Sequence, residues 1–254
     1  MRTVFALLLI FALTACSNAG RKGGYEFIAH AGGAIDGCVY SNSYEALVKA
    51  AESGYRFIEV DFAYTEDSVL VAAHSWEKFN EISGFPHKGD TAPCVTEFLS
   101  RRIYSDYTPV TAADVQRFFV ENDSLFLVVD KVSDAKVLGD NFPFIKERML
   151  VEAFSYDDYV ELLGCSFYRV MYSCMAKDVV SSLLKHLVLY RIFAGPKIEW
   201  ITLHTSVFEK SSFKVIDALS NYKAALFTVN DTVAEIPESY RDRVYMIYTD
   251  SIKP

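Results

Sequence analysis

The chain has 254 residues, a hydrophobic fraction of 51% and a formal net charge of −8, with a mean hydropathy of +0.13 and a sequence pI near 5.2. That composition supports a sizeable core and excludes a disordered chain. The acidic balance argues against a nucleic-acid binder, which needs a basic footprint. It leaves open a small anionic substrate, because one bound metal ion reverses the local field.

The N-terminus reads as a targeting segment. Arg2 is a short basic start, and Val4 to Leu13 is an apolar run too short to span a bilayer comfortably. Leu13-Thr14-Ala15-Cys16 follows directly. It resembles a bacterial lipobox, with residues 1–16 as the signal and Cys16 as the lipidated first residue of the mature chain. Residues 17–24 are small and polar, as a flexible tether would be. The expectation is an exported lipoprotein of the bacterial cell envelope, membrane-anchored, whose folded part is residues 25–254. The other cysteines, Cys38, Cys94, Cys165 and Cys174, lack CxxC spacing, which disfavours zinc. An exported compartment permits disulfides, with Cys38–Cys94 the first pair to test and buried free thiols an equal alternative.

From residue 25 onward, strand-like and helix-like segments alternate. Glu26 to Ala29 reads as a strand ending at His30, and Ser43 to Glu52 as a helix with Ala46, Leu47 and Ala50 on one face, capped by Asn42 or Ser43. Arg56 to Asp61 is a strand, and Val69 to Ala73 a second apolar run ending at His74. Residues 75–109 read as an irregular excursion rich in Gly, Pro and aromatics. Thr111 to Asn122 is a helix capped at Thr111, followed by a strand from Leu125 to Asp130. Strands then fall at Arg148–Phe154, Tyr168–Met171, Ile198–Leu203, Lys223–Val229 and Val244–Tyr248, and helices at Tyr156–Leu163, Val179–Leu189 and Glu209–Leu219. Helices between successive strands imply a parallel sheet, and eight such strands imply an α/β TIM (β/α)8 barrel, with residues 75–109 as a small insertion.

Barrel enzymes place their active sites at the C-terminal ends of the strands. Here those ends carry His30, Glu59, Asp61, Asp130, Lys131, His204, Asn230 and Asp250, with His74 nearby. Glu59 and Asp61 lie two apart, so on a strand they share a face, where unpaired carboxylates are costly to bury. A divalent cation would make the pairing favourable, and Asp130 offers a third oxygen from the next strand. All-oxygen ligation suits Ca²⁺ or Mg²⁺. An ion pair with Lys131 is the competing use of Asp130. His30 and His74 are the candidate acid and base, because imidazole titrates near neutrality. His204 either contacts substrate or packs. The glycines after His30 allow backbone N–H groups at Gly32 to approach an anion.

One ordered set of motifs spans nearly the whole mature chain: His30-Ala31-Gly32, Asn42-Ser43, Ile58-Glu59-Val60-Asp61, Val71…His74, Asp130-Lys131, Phe227-Thr228-Val229-Asn230 and Thr249-Asp250. This set resembles the glycerophosphodiester phosphodiesterases, within the phosphatidylinositol-phospholipase-C-like barrels. The resemblance implies a metal-dependent phosphodiester hydrolase with Ca²⁺ or Mg²⁺ on Glu59, Asp61 and Asp130. It further implies His30 and His74 as the acid/base pair and Lys131 on the phosphate. Gly32, Asn42, His204 and Asn230 complete the expected substrate contacts, and the substrate is a small phosphodiester or lipid head group. The sequence departs from the family pattern at Ala31, where an Arg is usual, at Ser41-Asn42-Ser43 in place of Glu-Asn-Thr, at Asp130 in place of Glu, and at Phe227 in place of Trp. Losing the Arg removes a bidentate phosphate donor. The alternatives are phospholipase C- or D-like head-group cleavage and a non-catalytic surface lipoprotein that binds a phosphorylated glycan.

Overall fold

The computed structural model describes residues 24–174, 196–206, 221–231, 236–251 and 253–254. The expected signal segment with Cys16, most of the expected tether, and the expected helices at 179–189 and 209–219 lie outside the described residues.

Eight parallel strands form the barrel: β1 (Glu26–Ala29), β2 (Phe57–Tyr64), β4 (Phe126–Asp130), β5 (Met149–Ala153), β6 (Arg169–Cys174), β7 (Trp200–His204), β8 (Lys223–Phe227) and β9 (Val244–Thr249). Pairing of β1 with both β9 and β2 closes the sheet. The ninth strand, β3 (Leu70–Ala72), runs antiparallel to the end of β2 that projects beyond the rim. It adds an arm to the barrel and no stave. The sequence expectation of a (β/α)8 barrel is met, and its eight strands are the eight observed.

The helices form where amphipathic spacing meets a capping residue. The helix α1 (Tyr44–Glu52) begins at Ser43, whose hydroxyl accepts from the Ala46 N–H, and it buries Ala46, Leu47 and Ala50. Helix α4 (Ala112–Glu121) is held by a reciprocal capping box between Thr111 and Asp114. Helix α6 (Tyr156–Leu163) is capped by Ser155. Helix α5 (Ala135–Asn141) goes beyond the sequence expectation. It is short and contains Gly139, and its start is fixed by Asp134, whose side chain accepts from the Val137 N–H.

The excursion is also more ordered than its composition indicates. It contains α2 (Trp76–Ile82) and α3 (Val95–Ser100) around a separate apolar cluster that includes Val71, Phe79, Phe98 and Ile103. Phe79 stacks on Phe98 at 4.6 Å. Buried Arg101 ties the segment together by donating to Asn80 Oδ1 at 2.6 Å and lying over the Phe85 ring at 4.0 Å. Two tyrosines then reach back to the turn after β1. The Tyr104 hydroxyl donates to the Val39 carbonyl at 3.0 Å, and the Tyr107 hydroxyl to Asp36 at 3.0 Å. Of the two readings open for Cys38 and Cys94, a bridge or free thiols, the structure shows the second: both are free, as is Cys165. Cys38 is fixed locally by its pairing with Ile35, and Cys94 stands at the N-cap of α3.

Alternation along the strands separates two apolar regions. One fills the space between barrel and helices. The other is the barrel interior, with Ile28, Phe57, Val128, Leu150, Met171, Ala225 and Met246. Every second residue above this floor therefore points into the mouth of the barrel.

Candidate active site

Phe57, Glu59 and Asp61 share the inner face of β2, and the parallel register sets Asp61 beside Asp130 of β4. Carboxylate oxygens of Glu59, Asp61 and Asp130 all lie within 4.8 Å of one another. Glu59 and Asp61 are each 1% exposed. Glu59 Oε2 accepts the Ala31 N–H at 2.6 Å, while Oε1 is buried without a hydrogen-bond partner among the described residues. Asp61 is held twice by Asn42: the Asn42 amide donates to Asp61 Oδ2 at 3.0 Å, and the Asp61 N–H donates to Asn42 Oδ1 at 3.0 Å. Burial, then the charges of Asp61 and Asp130, raise Glu59 well above the usual carboxylate range. Burial, then Asp130, push Asp61 up to about 7. Lys131 Nζ stands 3.2 Å from Asp130 and 4.0 Å from Asp61.

One ammonium does not balance three clustered carboxylates, and one buried Glu59 oxygen has no hydrogen-bond partner among the described residues. The donor set is all oxygen, so the residues present fit a hard divalent cation. The three carboxylates would hold it.

His30 directly follows β1, and pairing of Ala29 with Thr249 sets it beside Asp250 at the end of β9. His30 Nδ1 and Asp250 Oδ1 are 2.9 Å apart. Asp250 is in turn held by Asn230, whose amide donates to Oδ2 at 2.6 Å and whose Oδ1 accepts the Asp250 N–H at 2.8 Å. Burial alone would depress His30, but the hydrogen bond and charge of Asp250, with Asp61 and Asp130 behind it, raise it above its ordinary value. His74 arrives by another route. The β2–β3 arm folds back, the Ala73 N–H donates to the Asp61 carbonyl at 2.9 Å, and His74 follows at the rim. Burial, then Lys131, lower its pKa.

His30, His74, Glu59, Asp130, Lys131 and His204 line one cavity of about 320 Å³. Asn42 and Asn230 stand behind it, orienting Asp61 and Asp250. Gly32 packs away from it. Its φ is +84°, and a Cβ on this residue would stand 3.0 Å from Ala46 Cβ, which together explain the glycine. His204 is exposed, with Nδ1 2.8 Å from the Ser206 hydroxyl.

Sequence reasoning passed over three residues of this cavity: Tyr40, Glu152 and Tyr248. Glu152 points inward from β5, accepting from the Tyr248 hydroxyl at 2.5 Å and the Thr202 hydroxyl at 2.9 Å. Burial, then Asp130, push it up to about 7. A lone Glu inside the apolar run Met149–Ala153 was the available signal. Asp250 was visible at a strand end, but its partnership with His30 depends on barrel closure.

A closed parallel barrel with its ionisable groups gathered at the C-terminal mouth has the layout of a (β/α)8-barrel enzyme. The model of the glycerophosphoryl diester phosphodiesterase family matches residues 30–246, and the chain belongs to that family. It is thereby a phosphoric diester hydrolase by class. A search of curated protein sequences returned no match. Among solved structures, the chain is similar to a glycerophosphodiester phosphodiesterase from Thermotoga maritima (TM-score 0.66, 18% identity, covering 92% of this chain and 97% of that one). It is similar to another from Parabacteroides distasonis (TM-score 0.63, 20% identity, 89% and 92% covered). A third similar structure is a phosphodiesterase from Oleispira antarctica in complex with the product sn-glycerol-3-phosphate (TM-score 0.61, 18% identity, 89% and 92% covered). At these identities the structural likeness speaks for the barrel.

Proposed function

We propose that the chain is a membrane-tethered, divalent-cation-dependent phosphodiesterase of the cell envelope that cleaves a glycerophosphodiester-like bond. The observation that carries this reading is that Glu59 and Asp130 line the same cavity as His30 and His74, with Asp61 completing a carboxylate trio whose oxygens lie within 4.8 Å of one another. The Oleispira relative, which holds sn-glycerol-3-phosphate as product, supports a glycerol-phosphate half for the substrate.

Glu59, Asp61 and Asp130 would hold a divalent cation, Ca²⁺ or Mg²⁺, which would supply charge neutralisation for the phosphoryl group. The chain's own residues divide the proton work. Asp250 holds Nδ1 of His30, so Nε2 is the basic atom, and the imidazolium formed there is stabilised in place. His30 takes the proton of the attacking hydroxyl as the new P–O bond forms. His74 gives a proton to the departing alkoxide as the other P–O bond breaks. Attack by the glycerol 2-hydroxyl yields a cyclic phosphate, and attack by water a phosphomonoester. Lys131, which lines the same cavity, adds a positive charge for the phosphate.

The test is turnover of glycerophosphocholine and of a p-nitrophenyl phosphodiester by the purified chain with Ca²⁺, with Mg²⁺ and with EDTA. Metal-dependent release of product that disappears in His30→Ala is expected; full activity in that variant would sink the mechanism. For the tether, Cys16→Ala should release the protein from membranes, and unchanged attachment would count against it.

A further inference from the structure

The cavity at the barrel mouth has a neighbour. A groove of about 300 Å³ opens over α2, between Val39 and Tyr40 on one side and Ser75, Lys78 and Glu81 on the other. Tyr40 and His74 line both spaces and are the residues the two linings share, so they form the partition between them.

Tyr40 is placed there with unusual care. Its ring stands nearly perpendicular to His30, with centroids 4.9 Å apart, and nearly perpendicular to His74 at 5.0 Å. The two histidines are supported differently. His30 is tied to Asp250. Among the described residues the His74 imidazole makes no hydrogen bond, and its ring contact is with Tyr40. Edge-to-face contact of this kind favours one ring orientation over others.

The backbone of Tyr40 carries a cost. Its φ of +59° lies in the left-handed region, which a bulky side chain rarely adopts. The conformation is enforced from outside. Val39 accepts from Tyr104 of the insertion, Cys38 pairs with Ile35, and the Asn42 N–H donates to the Ala31 carbonyl at 3.1 Å. Strain persists only where the surroundings over-determine it, and it gathers where geometry serves a site.

We propose that Tyr40 is a positioning residue for His74 and the wall against which the leaving alcohol is seated. The phosphoryl group then lies on the carboxylate side of the partition and the departing alcohol in the groove over α2, with His74 between them. The inference rests on the phosphodiesterase reading above. In the step concerned, the bond from phosphorus to the alcohol oxygen breaks, its electron pair stays on that oxygen, and the His74 proton goes to it.

The experiment compares two diesters that differ in their need for that proton. Glycerophosphocholine releases an alkoxide and needs it, whereas a p-nitrophenyl phosphodiester releases a stabilised phenolate and does not. General acid catalysis contributes roughly 10²–10⁴-fold, so loosening its donor should cost kcat about 10- to 100-fold in Tyr40→Ala on glycerophosphocholine. The same variant should lose under about threefold on the p-nitrophenyl diester, the asymmetry His74→Ala shows in stronger form. Tyr40→Phe keeps the ring and should retain activity on both. Tyr40→Leu stands in if Tyr40→Ala does not fold. Apart from turnover, the His74 ring NMR resonance, assigned by its loss in His74→Ala, should move in Tyr40→Ala and stay in Tyr40→Phe. Equal losses on both diesters, or an unmoved His74 resonance, would overturn the inference and leave the phosphodiesterase reading standing. No turnover of either diester by the wild-type chain would sink that reading, and this inference with it.

Discussion

Replacing Asp61 by asparagine separates what the acidic trio costs the folded chain from what it provides. Asp61 is 1% exposed, and burial with the charge of Asp130 pushes its carboxyl from an ordinary 3.8 up to about 7. Between about pH 4 and pH 7 the metal-free folded chain therefore binds a proton that the unfolded chain has released. Stability falls as pH rises through that window, and the loss is complete above it. At about 1.4 kcal/mol per pH unit, a window of roughly three pH units amounts to ~4 kcal/mol. This is an upper limit, because Glu59 shares the same repulsion. An asparagine at position 61 keeps an oxygen to accept from the Asn42 amide, so the exchange removes charge with little change of shape. In EDTA at pH 7.5, Asp61→Asn should melt above wild type by up to ~8–16 °C, at roughly 2–4 °C per kcal/mol. In millimolar Ca²⁺ or Mg²⁺ the order should invert, because the variant lacks one of three carboxylate ligands and gains less from binding. The assay is thermal unfolding of both proteins from pH 5 to 8, with chelator and with each metal. A wild-type melting temperature in EDTA that is flat across this range would refute the reasoning, as would an Asp61→Asn variant less stable than wild type there.

Asp250→Asn should lower kcat/KM by roughly 10²-fold or more, the lower end of what acid–base groups contribute. Without the carboxylate that raises it, His30 should lose its proton at lower pH, so the acid limb of the pH–rate profile should move down. Lys131→Met removes the ammonium beside Asp130. It should raise KM for a phosphodiester about tenfold, the loss of one charge-assisted hydrogen bond, with kcat changed less, as steady-state kinetics would reveal. Gly32→Ala forces a side chain onto φ +84° and against Ala46 Cβ at 3.0 Å. It should cost about 1–3 kcal/mol in a thermal melt. Phe98→Ala empties the centre of the insertion's own cluster. It should cost about 3–5 kcal/mol and open residues 75–109 to limited proteolysis before the barrel unfolds.

The sequence by itself determined the staves of the barrel and the chemistry at their ends. Apolar runs bounded by turn residues and helical spacing behind a cap are local signals, so the strands from Glu26 and Phe57 and the helix from Tyr156 sit where their residues alone place them. The period of two on a strand likewise put Glu59 and Asp61 on one face without any knowledge of the fold. Tertiary structure decided what those groups face. Register across β2 and β4 brings Asp61 to Asp130, and closure through β1 and β9 brings His30 to Asp250, 220 positions away in sequence. Helices α2, α3 and α5 are too short for periodicity to mark, and they persist because a tertiary cluster or a single cap holds them. Tyr40 is the furthest case. Nothing about a tyrosine in a turn announces a left-handed backbone between two histidines, because the insertion residues that impose it lie some 65 positions further along the chain.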